Sequence, residues 1–178
     1  MNRVEAGIDP FYITSRFTPK ERCTLRELIL SGGPIGRRRC VGYLGHGTVY
    51  PGNRRFIFEM CDKLISDPRV RWAAVSTLGA YAKSHPKELW PLVLKWGSVR
   101  SRDIRDGVRC CILEHILEYH FREFFSKAAR HAERDARFAY TLQGIYKFGE
   151  AAEPRNAALY DGLMARLEKP VKRSPRTH

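Results

Sequence analysis

Arginine is the residue type in this chain whose number and spacing best fit a defined chemistry. Arg71, Arg105 and Arg137 recur at intervals of 34 and 32 residues, each in a similar stretch of small and apolar residues. The planar guanidinium donates paired hydrogen bonds to a carboxylate or a phosphate. If the surrounding segments are stacked, the three arginines align along one side of the molecule.

Two roles for these arginines remain open. Asp67, Asp103 and Asp135 lie near the starts of the same segments, so each arginine could pair with an aspartate of a neighbouring segment. Alternatively, the arginines combine this structural role with the binding of an external anion. Trp72, next to Arg71, is likewise either a core residue or a ring on which a ligand stacks.

A second group of arginines occupies residues 31–55, a window without any Asp or Glu. Its members are Arg37, Arg38, Arg39, Arg54 and Arg55. The whole chain has 32 Lys and Arg residues against 19 Asp and Glu, a formal net charge of +13. Such a charge attracts acidic partners. We therefore predict that these arginines, with Arg71, Trp72, Arg105 and Arg137, bind an acidic protein or a nucleic acid.

Other reactive residue types do not form a recognisable catalytic or metal-binding pattern. Cys111 and His115 are four residues apart, as two ligands on one helix would be, but zinc generally needs three or four protein ligands. The segments 32–37 and 42–47 are rich in glycine but lack the preceding strand and the Lys-Ser/Thr ending of a phosphate-binding loop. We name no catalytic residue, no metal and no cofactor, and enzymatic activity has no direct support.

The apolar residues that would position these side chains repeat with a helical period. Val70, Ala74 and Leu78 form a stripe, and Ile104, Val108 and Ile112 repeat it 34 residues later. The pattern predicts helices over 68–83, 102–120, 121–132, 134–148 and 154–167, with earlier helices from Thr18-Pro19 and around 56–65 and a short helix after Pro86. Glycines within 35–53 predict a loop or a short, broken helix. The fold class is all-α.

Residues 67 to 79, from Asp67-Pro68-Arg69-Val70-Arg71 to Leu78-Gly79, resemble the second helix of HEAT repeats. The resemblance implies a short HEAT-like α-solenoid of stacked antiparallel helix pairs. Residues 1–168 would be a single domain with an N-terminal cap and a basic glycine-rich loop at 31–55. Residues 169–178 would be a basic disordered tail.

Solenoids of this kind present a curved surface, which predicts a non-enzymatic scaffold with a basic concave face for an acidic partner. One alternative is a HEAT-like alkylpurine DNA glycosylase, for which Asp106 is the candidate acid. Another is a bacterial immunity or adaptor protein with one dedicated partner. The oligomeric state remains open.

Hydropathy and cysteine usage predict the environment of the protein. The sequence has no apolar run of the roughly 20 residues that span a membrane, so we expect no integral membrane association. Its five cysteines show no pattern of a disulfide framework. We expect a cytoplasmic protein.

Overall fold

The computed structural model describes residues 16–168, which form α-helices joined by short turns. Their bounds are α1 Pro19–Leu30, α2 Gly33–Gly47, α3 Arg54–Leu64, α4 Arg71–Gly79, α5 Pro86–Gly97, α6 Arg102–Val108, α7 Glu114–Ala132, α8 Ala136–Gln143 and α9 Pro154–Leu167. No strand occurs in this part of the chain. The all-α prediction is confirmed, whereas the tail at 169–178 and most of the N-terminal cap lie outside the described residues.

Local sequence signals account for several helix starts. Thr18 caps α1 in a capping box: its side chain accepts a hydrogen bond from the Glu21 backbone N–H, and the Glu21 carboxylate accepts from the Thr18 backbone N–H. This reciprocal arrangement satisfies two of the N–H groups that a helix end leaves free. Proline at the first helical position begins α5 and α9, since its missing N–H is not needed there.

Most of the glycine-rich segment is a helix, so the prediction of a loop at 31–55 is wrong for residues 33–47; a turn and the 3-10 segment Pro51–Asn53 follow before α3. The 15 residues from Gly33 to Gly47 form α2, whose first residue, Gly33, has φ +57°. The reason is packing: at Gly36 a Cβ would lie 3.3 Å from the Leu28 carbonyl oxygen, and at Gly47 it would overlap the Phe17 ring. These glycines permit close helix contact that offsets their low helix propensity.

The long helical region after residue 102 is interrupted where the sequence predicts a boundary. α6 continues through a π-helical segment, Arg109–Leu113, into α7. His120 then has non-helical angles, φ −143° and ψ 38°, so α7 kinks between the segments predicted as 102–120 and 121–132. α8 is shorter than its predicted 134–148, because the chain turns at Gly144 and the Tyr146 N–H donates to the Glu114 carboxylate at 3.1 Å.

Four helices, α2, α4, α6 and α8, lie side by side in chain order, and we call them the helix row. Between α4 and α6, Arg71 contacts Asp103, Val75 lies against Gly107, and Gly79 meets the carbonyl oxygen of Cys111. The residue numbers in these contacts increase together along both segments. The two helices are therefore parallel neighbours, offset by 32 residues.

The other neighbouring helices of the row are also parallel to each other. Gly45 lies against Thr77, and the Tyr81 hydroxyl donates to the Thr48 carbonyl oxygen at 3.5 Å, so α2 runs parallel to α4. Arg105 packs on the Tyr140 ring, and Arg109 lies against Gly144, where α8 ends. α8 therefore runs parallel to α6.

The core lies along the row and between it and the remaining helices. Ala74 and Leu78 of α4 and Val108 and Ile112 of the next segment are fully buried or nearly so. The matching apolar stripes predicted from the sequence therefore both face the interior. Among residues 16–168, no helix combines the length and apolar character needed to cross a membrane.

Candidate anion-binding face

Arg71 is a buried arginine whose donors are all directed at other parts of the protein. Its side chain is 9% exposed and forms an ion pair with Asp103 at the start of α6. Nε donates to the Ile65 carbonyl oxygen at 2.8 Å, and Nη2 donates to that of Ser66 at 3.1 Å. Arg71 therefore closes the end of α3 and ties α4 to α6.

Arg37 and Arg105 act on the chain in the same way. Arg37 donates to the Ile29 carbonyl oxygen at 3.0 Å and pairs with Asp67 at 2.7 Å. Arg105 donates to the carbonyl oxygens of Val99 and Arg100, at 2.6 and 2.9 Å. Arg37, Arg71 and Arg105 thus satisfy carbonyl groups at or just beyond the ends of α1, α3 and α5.

Sequence reasoning missed the first member of this series. Arg37, Arg71 and Arg105 are separated by two equal intervals of 34 residues, a signal that could have extended the repeat upstream. The glycines around Arg37 favour a loop, however, and so conceal its helical position in the sequence.

Arg105 does not pair with Asp135, the aspartate at the start of the next helix of the row. Asp135 instead caps α8, where Oδ1 accepts from the backbone N–H groups of Arg137 at 2.8 Å and Phe138 at 3.2 Å. The Arg105 guanidinium lies 5.0 Å from the centre of the Tyr140 ring, in a cation–π contact.

Two carboxylates hold the ion pairs of the series in place. Asp67 is buried and accepts hydrogen bonds from Arg69 and Arg37, which lower its pKa. Asp103 accepts from Trp72 Nε1 at 2.9 Å and from Arg71, and both bonds lower its pKa. The Trp72 ring, 44% exposed, is consequently fixed in orientation at the surface.

The remaining arginines of the predicted binding group occupy different surroundings. Arg54 forms two contacts of 3.0 Å with Glu88 and one of 2.6 Å with His85, joining α3 to the start of α5. Arg55 is exposed on α3, on the same helix side as Glu59. Neither belongs to the helix row, so the structure does not bring them together with Arg38 and Arg39.

Each helix of the row has one exposed stripe, and we call the four stripes together the row face. They include Arg38, Arg39, Gly42 and His46 on α2; Trp72, Ala73, Ser76 and Ala80 along α4, with Lys83 beyond it; Arg102, Asp103 and the partly exposed Asp106 and Cys110 along α6 and its extension; and Arg137, Gln143 and the partly exposed Tyr140 on α8. The row face therefore unites Arg38, Arg39, Trp72 and Arg137 of the predicted group.

The two acidic residues of these stripes are both engaged by arginines. Asp103 is held by Arg71, and Asp106 lies 3.5 Å from Arg102 and 3.2 Å from Arg109. The stripes of α2 and α4 contain no Asp or Glu. This face is consequently cationic and can attract phosphates or carboxylates.

The cysteine and histidine predicted to lie on one helix are part of this region without forming a metal-binding cluster. Cys111 is half-buried, and burial raises the pKa of its thiol. His115 contacts the Glu118 carboxylate at 2.8 Å through Nδ1. Within residues 16–168, no three His, Cys, Asp or Glu side chains are grouped as metal ligands.

Comparisons with protein-family models, with curated proteins and with solved structures found no match to this chain.

Proposed function

We propose that this chain is a short HEAT-like α-solenoid of stacked antiparallel helix pairs. Consecutive helices contact one another in the pairs α1–α2, α3–α4, α5–α6 and α7–α8, and the second members form the helix row. Side-chain bonds one period apart, such as Trp96 Nε1 to Asp62 at 2.6 Å and Lys95 to Asp62 at 2.7 Å, join α5 to α3. Contacts limited to neighbouring units are typical of repeat proteins.

The proposed function is non-enzymatic binding of an acidic partner on the row face. The observation that carries it is the charge of that face: Arg38, Arg102 and Arg137 are exposed there, while its acids Asp103 and Asp106 are paired. Arginine suits such a role because its fork matches both carboxylate and phosphate geometry. Arg37, Arg71 and Arg105 support the face by fixing the helices that present it.

A triple charge reversal tests this function. We expect Arg38→Glu combined with Arg102→Glu and Arg137→Glu to abolish binding to fluorescent acidic probes, namely polyglutamate, a single-stranded oligonucleotide and a duplex, measured by fluorescence anisotropy. Helicity and the melting temperature should stay close to those of the wild type, since exposed surface substitutions usually change stability little.

The matched control makes the same change in charge elsewhere. Arg55, Arg122 and Arg155 are exposed outside the helix row, and their replacement by glutamate should leave most of the probe binding intact. Equal losses in both triple variants would reduce the effect to net charge and contradict a defined face. A wild-type protein that binds none of the three probes would also overturn the proposal. Release of free base from alkylated DNA would instead place the protein among the repair enzymes.

A further inference from the structure

Small residues occupy the middle of the row face, and we call this strip the trough. Gly42 on α2, Ser76 and Ala80 on α4 and Cys110 after α6 succeed one another across the row. Exposed arginines lie along one side, towards the first turns of the helices, and His46, Lys83 and His115 lie towards the other end. With helix axes about 8–10 Å apart, the four helices give a cationic face wide enough for several units of an extended polymer.

The trough includes a cavity between α4 and the segment after α6. Its volume is about 450 Å³, and its lining includes Ser76, Gly79, Ala80, Cys110, Lys83, His115 and Tyr119. Gly79 permits α4 to approach this segment closely, because a side chain at that position would overlap the Cys111 carbonyl oxygen. The cavity therefore lies where α4 and the segment after α6 are in close contact.

Aromatic rings accompany the cations on both sides of the trough. The Lys83 ammonium lies 5.0 Å from the centre of the Tyr119 ring, and the Arg102 guanidinium lies 5.6 Å from that of Tyr140. Trp72 adds a ring whose orientation is set by its bond to Asp103. A face that places cations beside exposed or partly exposed rings matches a ligand that carries both phosphates and flat bases.

We propose that the trough binds single-stranded nucleic acid, with phosphates beside Arg38, Arg102 and Arg137 and one base in the cavity against Tyr119. This inference rests on the proposed function and names its partner. An acidic polypeptide would use the charges of the face but leave the rings and the cavity without a matching group. A duplex keeps its bases stacked inside, so it too would engage only the charges.

The test compares four fluorescent probes with the wild-type protein: single-stranded DNA, single-stranded RNA of the same sequence, the corresponding DNA duplex and polyglutamate. We expect the single strands to bind at least about ten-fold more tightly than the duplex or polyglutamate, with salt dependence near −0.7 per contacted phosphate in a log–log plot. A preference between the DNA and RNA strands would identify the source of the ligand, and either preference supports the proposal.

Two variants address the cavity itself. Tyr119→Ala should weaken single-strand binding about ten-fold, the loss expected for one stacked base, and leave polyglutamate binding unchanged. Ser76→Trp should reduce single-strand binding by filling the cavity while retaining the Tyr119 ring. Tyr146→Ala is the control, because Tyr146 is exposed outside the row, and it should bind like the wild type.

Four results would overturn the inference. One is duplex or polyglutamate binding as tight as that of the single strands, and another is unchanged single-strand affinity in both cavity variants with wild-type helicity. Binding of polyglutamate alone would also overturn it but leave the proposed function in place. Absence of binding to all four probes would overturn both.

Discussion

Arg71 and Asp103, 32 residues apart, form an ion pair that joins α4 to α6, although only one of the two is buried. The arginine side chain is 9% exposed and the aspartate side chain 51%. The guanidinium also satisfies two carbonyl oxygens at the end of the preceding helix. Its structural contribution therefore exceeds that of a surface salt bridge, which is typically worth less than about 1 kcal/mol.

We expect Arg71→Ala to lower the free energy of unfolding by about 2–3 kcal/mol, since it removes charged hydrogen bonds and leaves the buried Ile65 carbonyl group without a donor. Chemical denaturation followed by circular dichroism measures the change. Arg137→Ala is the control, because Arg137 is exposed, and should stay within about 0.5 kcal/mol of the wild type. Similar effects of the two substitutions would contradict the supporting role of Arg71.

Two glycines in the helix row should respond in opposite ways to alanine. Gly79→Ala places a methyl group against the Cys111 backbone and should destabilise the protein by about 1–3 kcal/mol, because the helices must separate. At Gly42, inside α2, a Cβ meets no atom within 4 Å. Gly42→Ala should therefore stabilise by up to about 1 kcal/mol through helix propensity. Thermal melting distinguishes the two, and a gain in Gly79→Ala would contradict close packing at this point.

Local signals predicted the helices whose ends depend on neighbouring residues in the chain. The capping residue Thr18 and the prolines at 19 and 154 indicated the starts of α1 and α9, and α9 has the predicted bounds of 154 and 167. The apolar stripe through Val70, Ala74 and Leu78 predicted the buried side of α4. These features depend on capping and periodicity, which a sequence displays directly.

Features that depend on contacts between distant segments were less predictable. The glycines of α2 suggested a loop because their low helix propensity is local, whereas the close approach of Leu28 and Phe17 that favours them is not. The same limit applies to Asp135, which resembles Asp103 in its sequence position but caps α8 instead of pairing with Arg105. Among the predicted binding residues, the structure separates Arg38, Arg39 and Arg137 on the row face from Arg54 and Arg55 on α3.

The Asp67 ion pairs should make stability depend on acid pH. Hydrogen bonds from Arg69 and Arg37 place the pKa of Asp67 below its ordinary value, so the folded state favours the carboxylate. This stabilisation is complete above the ordinary pKa of aspartate and is lost as the pH falls towards the pKa in the folded state. Unfolding measured between pH 7 and pH 3 should show a smaller pH dependence in Asp67→Asn than in the wild type. Identical pH dependences would show that Asp67 is not linked to folding.

Glu114 should show the opposite linkage. Its side chain is buried, and burial raises its pKa despite a hydrogen bond from the Tyr146 N–H and the positive charge of Arg109. A raised pKa means that the ionised form destabilises the folded state at pH 7, whereas below the pKa of the unfolded chain both states are protonated and the cost disappears.

Glutamine keeps an acceptor for the Tyr146 N–H without the charge. We therefore expect Glu114→Gln to raise the melting temperature at pH 7 and to lose that advantage by about pH 4, the ordinary range of a glutamate carboxyl. The matched control is Glu123→Gln. Burial raises the pKa of that exposed carboxylate, but the hydrogen bonds and charges of lysines 87 and 127 together outweigh burial and lower the pKa overall, so this variant should gain nothing at pH 7. A lower melting temperature of Glu114→Gln at pH 7 would show instead that the Arg109 interaction outweighs the cost of burying the charge.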